Sequence, residues 1–252
     1  MKKLLFLLFI IAGTVTAQNA DSLFDSANNL YKNEKFEEAI NEYKKIEALE
    51  VASSELYYNL GNAYYKLNKV GPSIYYYEKA LNLNPLNEDV KNNLVFAKRL
   101  ALDNIEELPK TVLQKFDANY LQKLSYNQWA VVVIGFSILG SLFFLLFYLT
   151  HGSVKKRFYF TTSIISFILL ISSLFITYQQ YNSYTKNKEA IIFAEETEVR
   201  NAPTFNSEKV FTLHEGTKVI VLDAVDDWKK IKLIDGKIGW MIGNELKTLN
   251  DF

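Results

Sequence analysis

Two short stretches, Ser153-Val154-Lys155-Lys156 and Ser183-Tyr184-Thr185-Lys186, have the serine and lysine spacing with which a lysine amine activates a serine hydroxyl for nucleophilic attack. Neither is joined by the partner motifs that such chemistry needs, and a chain rich in lysine and serine produces the pattern by chance. His151 and His214 are the two histidines, and with no second histidine nearby in the sequence to make a metal pair His214 reads as a loop residue. Cysteine is absent, which excludes disulfides, thiolate zinc sites, iron–sulfur clusters and a cysteine nucleophile. The phosphate-binding loop, the dinucleotide glycine pattern, the paired-histidine zinc motif and the serine-hydrolase elbow are also missing. The expectation is a protein without catalytic residues, metal or cofactor, so recognition is the remaining chemistry.

Recognition residues recur at a fixed interval. Ala27-Asn28-Asn29-Leu30-Tyr31-Lys32 superposes on Gly61-Asn62-Ala63-Tyr64-Tyr65-Lys66, and Ala39-Ile40-Asn41-Glu42-Tyr43 on Ser73-Ile74-Tyr75-Tyr76-Tyr77, both at an offset of 34 (27 to 61, 39 to 73). A period of that length marks stacked helix pairs. Small residues at Ala27, Gly61, Ala39 and Ser73 let the backbones approach, and neighbouring aromatics fill the remaining space. Glycine within a helix costs about 1 kcal/mol relative to alanine, so Gly61 needs such a packing reason. Asn87 to Leu102 reads as a terminal helix, with Val90, Leu94, Ala97 and Ala101 covering the end of the stack.

In the second unit Tyr57, Leu60, Gly61, Tyr64, Ser73, Tyr77, Ala80 and Pro85 resemble the tetratricopeptide-repeat pattern. The first unit follows more loosely through Leu23, Ser26, Ala27, Leu30, Ala39, Tyr43 and Ile46, departing most at Ser26. The resemblance implies a binding scaffold over residues 20–102. Its inner helices would turn Asn28, Tyr31, Lys32, Asn62, Tyr65 and Lys66 towards the concave side, where paired asparagines hold an extended peptide; the alternative is that these are solvated helix positions. Phe96 stands at the matching place of the third unit, so a full carboxylate-binding pattern is not present.

The elements that carry this scaffold are exported and anchored. Met1, Lys2 and Lys3, the apolar Leu4 to Ala12 and the small residue Ala17 read as a signal peptide over residues 1–17, an uncleaved anchor being the alternative. The chain is 49% hydrophobic and 22% charged, and the apolar excess collects near the start and in two runs that read as transmembrane helices at 129–150 and 158–178. Trp129, Tyr148, Tyr159 and Tyr178 lie at their ends, and Ser137 and Ser141 have the spacing of a helix-packing pair. Lys155, Lys156 and Arg157 place the 151–157 connection in the cytoplasm, and so both soluble parts in the periplasm. The spans hold no acidic residue, lysine, arginine or histidine, which argues against transport. Residues 103–128 read as an amphipathic linker helix on the membrane surface, or as a helix packed on the repeats. With 28 basic and 28 acidic residues there is no net field to attract nucleic acid.

From 190 to 252 the pattern is β. Ala190 to Phe193, Lys209 to Leu213, Thr217 to Leu222, Trp228 to Ile234 and Lys237 to Ile242 alternate with turn residues, and Asp235-Gly236 favours a tight hairpin. Val199-Arg200-Asn201-Ala202-Pro203, Leu213-His214-Glu215-Gly216-Thr217, Asp227-Trp228 and Asp235 to Trp240 resemble a bacterial SH3-type domain, whose relatives bind cell-wall peptides or proteins. Trp228 and Trp240 read as core or strand-packing residues, with Trp240 packed across the barrel.

The fold class expected is therefore multidomain: all-α repeats, a membrane hairpin and an all-β SH3-like barrel. The order of these modules, with Asn127-Gln128-Trp129 at the membrane entry, resembles the BatE-type proteins of the Bacteroides aerotolerance group. That resemblance implies association with membrane-bound von Willebrand factor A proteins and a MoxR-type ATPase, as a scaffold in an envelope stress complex of the inner membrane. The competing reading is an envelope receptor that binds cell-wall peptides through the SH3-like domain.

Overall fold

The protein is represented by a computed structural model that describes residues 19–186 and 188–249. Residues 1–17, expected from the sequence to be a signal peptide, lie outside them. The chain forms two compact units, one uniting the residues up to Leu108 with those from Lys188 onward, the other spanning 109–187.

In the first unit the apolar periodicity folds into five helices among the described residues: α1 (through residue 32), α2 (Phe36–Ala48), α3 (Ser54–Lys66), α4 (Val70–Leu83) and α5 (Glu88–Lys98). Ser53 caps α3 by accepting from the Leu56 amide at 3.0 Å, and Asn87 caps α5 by accepting from that of Val90 at 3.2 Å. The small residues act as expected. A Cβ on Gly61 would stand 2.6 Å from the Tyr77 ring, and the buried Ser73 hydroxyl donates to the Gly61 carbonyl at 3.0 Å. Tyr43, Tyr57 and Tyr77 fill the helix interfaces, while Val90, Leu94 and Ala97 of α5 close the stack.

The same unit contains a seven-stranded antiparallel sheet: β1 (Lys188–Ile192), β2 (Glu196–Arg200), β3 (Lys209–His214), β4 (Lys218–Val225), β5 (Trp228–Lys232), β6 (Ile238–Ile242) and β7 (Leu246–Thr248). The spatial order is β3-β2-β6-β5-β4-β1-β7. Two strands exceed the five expected: β2, whose charged Glu196, Glu198 and Arg200 mask the buried Thr197 and Val199, and the three-residue β7. The tight hairpin expected at Asp235-Gly236 is present. The Gly236 amide donates to Leu233 and the Leu233 amide to Lys237, and φ is positive at Gly236 (92°) but not at Asp235. Its loop has three residues and ends in a left-handed glycine.

The barrel docks on the helices. Ile191 and Leu249 join the helical core, the Phe193 ring meets Tyr75 edge-on at 5.4 Å, and the Tyr75 hydroxyl donates to the Thr248 carbonyl at 3.2 Å. The Gly71 amide donates to Glu215, and Gly216, at φ 86°, passes so close to α4 that a Cβ would lie 2.9 Å from Ile74. Ion pairs surround these contacts. Glu78 takes Lys98 at 2.7 Å and Lys218 at 3.0 Å, and Lys218 also reaches Glu189 at 2.8 Å. Burial works to raise the Glu78 carboxyl, but Lys218 and Lys98 outweigh it and hold its pKa at about 2. His214 is no free loop residue: its backbone amide and Nδ1 both lie 2.7 Å from the Asp103 carboxylate, which also accepts from Thr217.

The second unit holds α6 (Val112–Phe116), continued by a π turn (Asp117–Leu121), then α7 (Tyr126–Leu149) and α8 (Ser153–Lys186). Residues 104–111 are irregular, so the amphipathic helix is shorter than the 103–128 segment expected. Both α7 and α8 are long and apolar enough to cross a membrane. At 1.5 Å per residue α7 is about 36 Å long, against about 30 Å of hydrocarbon. Helix α8 takes in Lys155, Lys156 and Arg157, leaving Thr150 to Gly152 as the turn. Ser137 and Ser141 do not form the packing pair. Both are exposed, and the Ser141 hydroxyl turns back to the Ser137 carbonyl. Instead Ser163 donates to the Gly140 carbonyl at 3.2 Å, and a Cβ on Gly140 would rest 3.6 Å from Ser166.

Candidate partner-binding face

The six residues expected to bind a partner lie on α1 and α3, the first helices of the two repeats, while the barrel contacts α4. Asn28 and Asn62 are equivalent in detail. Asn28 Oδ1 accepts from the Tyr43 hydroxyl at 2.6 Å and from Asn59 Nδ2 at 3.1 Å, and Asn62 Oδ1 from Tyr77 at 2.6 Å and Asn93 Nδ2 at 2.8 Å. Each asparagine thus ties the second helix of its own repeat to the first helix of the next. Burial pushes the Tyr43 hydroxyl up to about 12, opposed by the Asn59 hydrogen bond, and raises that of Tyr77 as well, so both remain donors at neutral pH.

This bonding fixes the orientation of both carboxamides. With each oxygen taken up by two internal donors, the Asn28 and Asn62 carboxamides keep their N–H groups as the remaining hydrogen-bonding capacity. Tyr31 is half-buried with its ring edge-on to Phe36 at 5.2 Å, and burial raises its hydroxyl pKa. Tyr65 is half-buried against the helical core, whereas Lys32 and Lys66 are exposed. On α5 Phe96 is half exposed under the Arg99 guanidinium, 5.4 Å from its ring centroid. Asn59 and Asn93, which complete the ladder, escape a reading of the sequence that follows the repeat motif alone. Their own separation of 34 (59 to 93) is the signal that could find them.

A second surface lies on the barrel. Inward alternation on β6 belongs to Gly239 and Met241, so Trp240 projects from the outer face, where it is registered with Arg200 on β2 and Lys230 on β5. Trp240 therefore does not pack across the barrel. Trp228 is buried, covered by the exposed Phe205 ring at 5.0 Å. The Arg200 guanidinium holds the Phe205 loop through the carbonyls of Phe205 at 2.8 Å and Ser207 at 2.6 Å.

Residues 195–247 are similar to the bacterial SH3 domain family, residues 54–87 to the tetratricopeptide repeat, and residues 27–68 to a second TPR repeat family. Comparison with curated proteins gives no match. The fold is thus a helical tetratricopeptide-like region, two apolar helices and an antiparallel seven-stranded sheet consistent with an SH3-like domain. These matches identify modules, not the larger family that their order resembles.

Proposed function

We propose that the protein is a non-enzymatic, membrane-anchored adaptor that binds an extended segment of a protein partner along the α1 and α3 face. Tetratricopeptide repeats are protein-interaction scaffolds, and the observation that carries the proposal is the pair of amides Asn28 and Asn62, oriented alike by internal hydrogen bonds. Tyr31 and Tyr65 flank these donors with aromatic surface, and Lys32 and Lys66 supply positive charge for an acidic partner segment. The experiment is co-purification of native partners with the full-length chain from detergent-solubilised membranes. Lys32→Glu with Lys66→Glu should abolish retention of a stoichiometric partner at unchanged thermal stability. Undiminished retention would remove this face from the mechanism.

The sidedness proposed is the inner membrane with both folded parts in the periplasm. Residues on either side of the hairpin belong to one compact unit, which needs an even number of crossings, and Lys155 to Arg157 at the connecting turn favour the cytoplasm for that turn. The order of modules supports a place in an envelope stress or aerotolerance complex with von Willebrand factor A membrane proteins. A cell-wall receptor is the second reading, favoured by the exposed Phe205 and the outward Trp240 beside Arg200. Binding of soluble wall peptides to the full-length chain, lost in Trp240→Ala, would select it; no binding would reject it.

A further inference from the structure

The stretch ahead of the first span carries apolar side chains that its own unit leaves uncovered. Thr111 and Gln114 cap α6 reciprocally, at 2.9 and 3.3 Å, which fixes where the helix starts and which side chains share a face. Val112, Leu113, Phe116 and Tyr120 follow at positions i, i+1, i+4 and i+8, an arc of about 100° at helical spacing. They are 83, 81, 53 and 62% exposed. Scattered exposed apolar residues are ordinary, but four on one face of a ten-residue helical segment are a surface to be covered. The Phe116 and Tyr120 rings lie 5.0 Å apart, and the Lys123 ammonium sits 6.0 Å from the Tyr120 ring centroid.

The far end of this helix is fastened to the hairpin. The Leu121 carbonyl, at the end of the π turn, accepts from the Trp129 indole N–H at 2.9 Å and from Gln180 Nε2 at 2.5 Å. One donor belongs to the beginning of α7 and the other to the end of α8, so a single carbonyl is held by both helices. At the same end Tyr126 packs against Tyr181 and Tyr184, with centroids 5.7 and 5.2 Å apart. Aromatic rings gathered at span ends mark the headgroup level of a bilayer. Only Gln122 to Ser125 separate α6 and its π turn from α7, so the helix cannot move far from that level.

The geometry points to a membrane-surface role: α6 lies in the boundary between headgroups and acyl chains, with Val112, Leu113, Phe116 and Tyr120 towards lipid and Lys110, Lys115 and Lys123 near lipid phosphates. Continuity with the spans selects a bilayer over a protein helix as the occupant. The inference rests on α7 and α8 being membrane spans, and its test separates the two.

The absence of cysteine permits single-site spin labels on the otherwise native full-length chain in phosphatidylethanolamine–phosphatidylglycerol vesicles. Labels at Leu113→Cys and Phe116→Cys should collide more with oxygen than with a water-soluble nickel chelate. Lys115→Cys should show the reverse, and Ile138→Cys in α7 should report hydrocarbon. Nickel access at 113 and 116 with 138 in hydrocarbon would overturn the placement of α6 while leaving the spans intact. Protection of 113 and 116 from both reagents would equally overturn it, as a protein cover. Nickel access at 138 would overturn the membrane reading itself.

Discussion

At residue scale, the Asn62 oxygen serves two donors at once, the Tyr77 hydroxyl and the Asn93 amide, and Asn62→Ala strands both, the first of them on a tyrosine buried in the helix interface. The expected loss is about 2 to 3 kcal/mol, whereas Lys66→Ala, exposed on the same helix, should stay within about 0.5 kcal/mol. Thermal melts of the two full-length variants compare them directly, and equal melting would refute the ladder. Glu78 makes a prediction in pH. Its folded pKa of about 2 lies below an unfolded value of about 4.3, so its contribution is present above that value and fades as pH falls towards 2. Asp103 is held low in the same direction: burial tends to raise it, but hydrogen bonds from Thr217 and His214 prevail. The unfolding free energy should therefore fall steeply between about pH 4.5 and 2, by about 3 kcal/mol for Glu78, and Glu78→Gln should flatten that fall. A wild-type profile that Glu78→Gln leaves unchanged would rule this group out.

At the scale of elements, the helices were legible because small residues and aromatics recur at one offset, and Gly61 meets Tyr77 as that pattern requires. The two long apolar helices were legible from their uncharged runs, but not the residues that join them. Hydroxyl spacing pointed to Ser137 and Ser141, whereas the contact forms at Gly140, whose carbonyl accepts from Ser163 and which lies beside Ser166. In the sheet, β2 was hidden because alternating glutamates lower its apolar content even though every second residue is buried. A place inside a strand did not tell which face Trp240 takes. Met241 is fully buried while Trp240 faces outward, so Met241→Ala should cost about 2 to 5 kcal/mol and Trp240→Ala about 1 kcal/mol. Melts of the full-length variants in the opposite order would put Trp240 back in the core.

At the scale of the molecule, the succession of repeats, hairpin and barrel was legible, and the union of repeats and barrel was not. Glu78, Lys218, Asp103 and His214 carry no sequence signal of this union, because nothing in their local spacing reveals that positions 140 and 111 apart in sequence become partners. Ile191 and Leu249 likewise complete a core made otherwise of helices. The candidate face was legible as residue types, but the orientation of its amides was not, since that depends on Asn59 and Asn93. What results is one compact unit interrupted by a hairpin, and its proposed place outside the cytoplasm requires both halves on the same side. Labelling of single cysteines at Asn33, Ser153 and Asn206 with an impermeant thiol reagent in intact spheroplasts tests this most directly. Positions 33 and 206 should label together while 153 stays protected; labelling at 153, or at only one of 33 and 206, would refute the shared periplasmic placement.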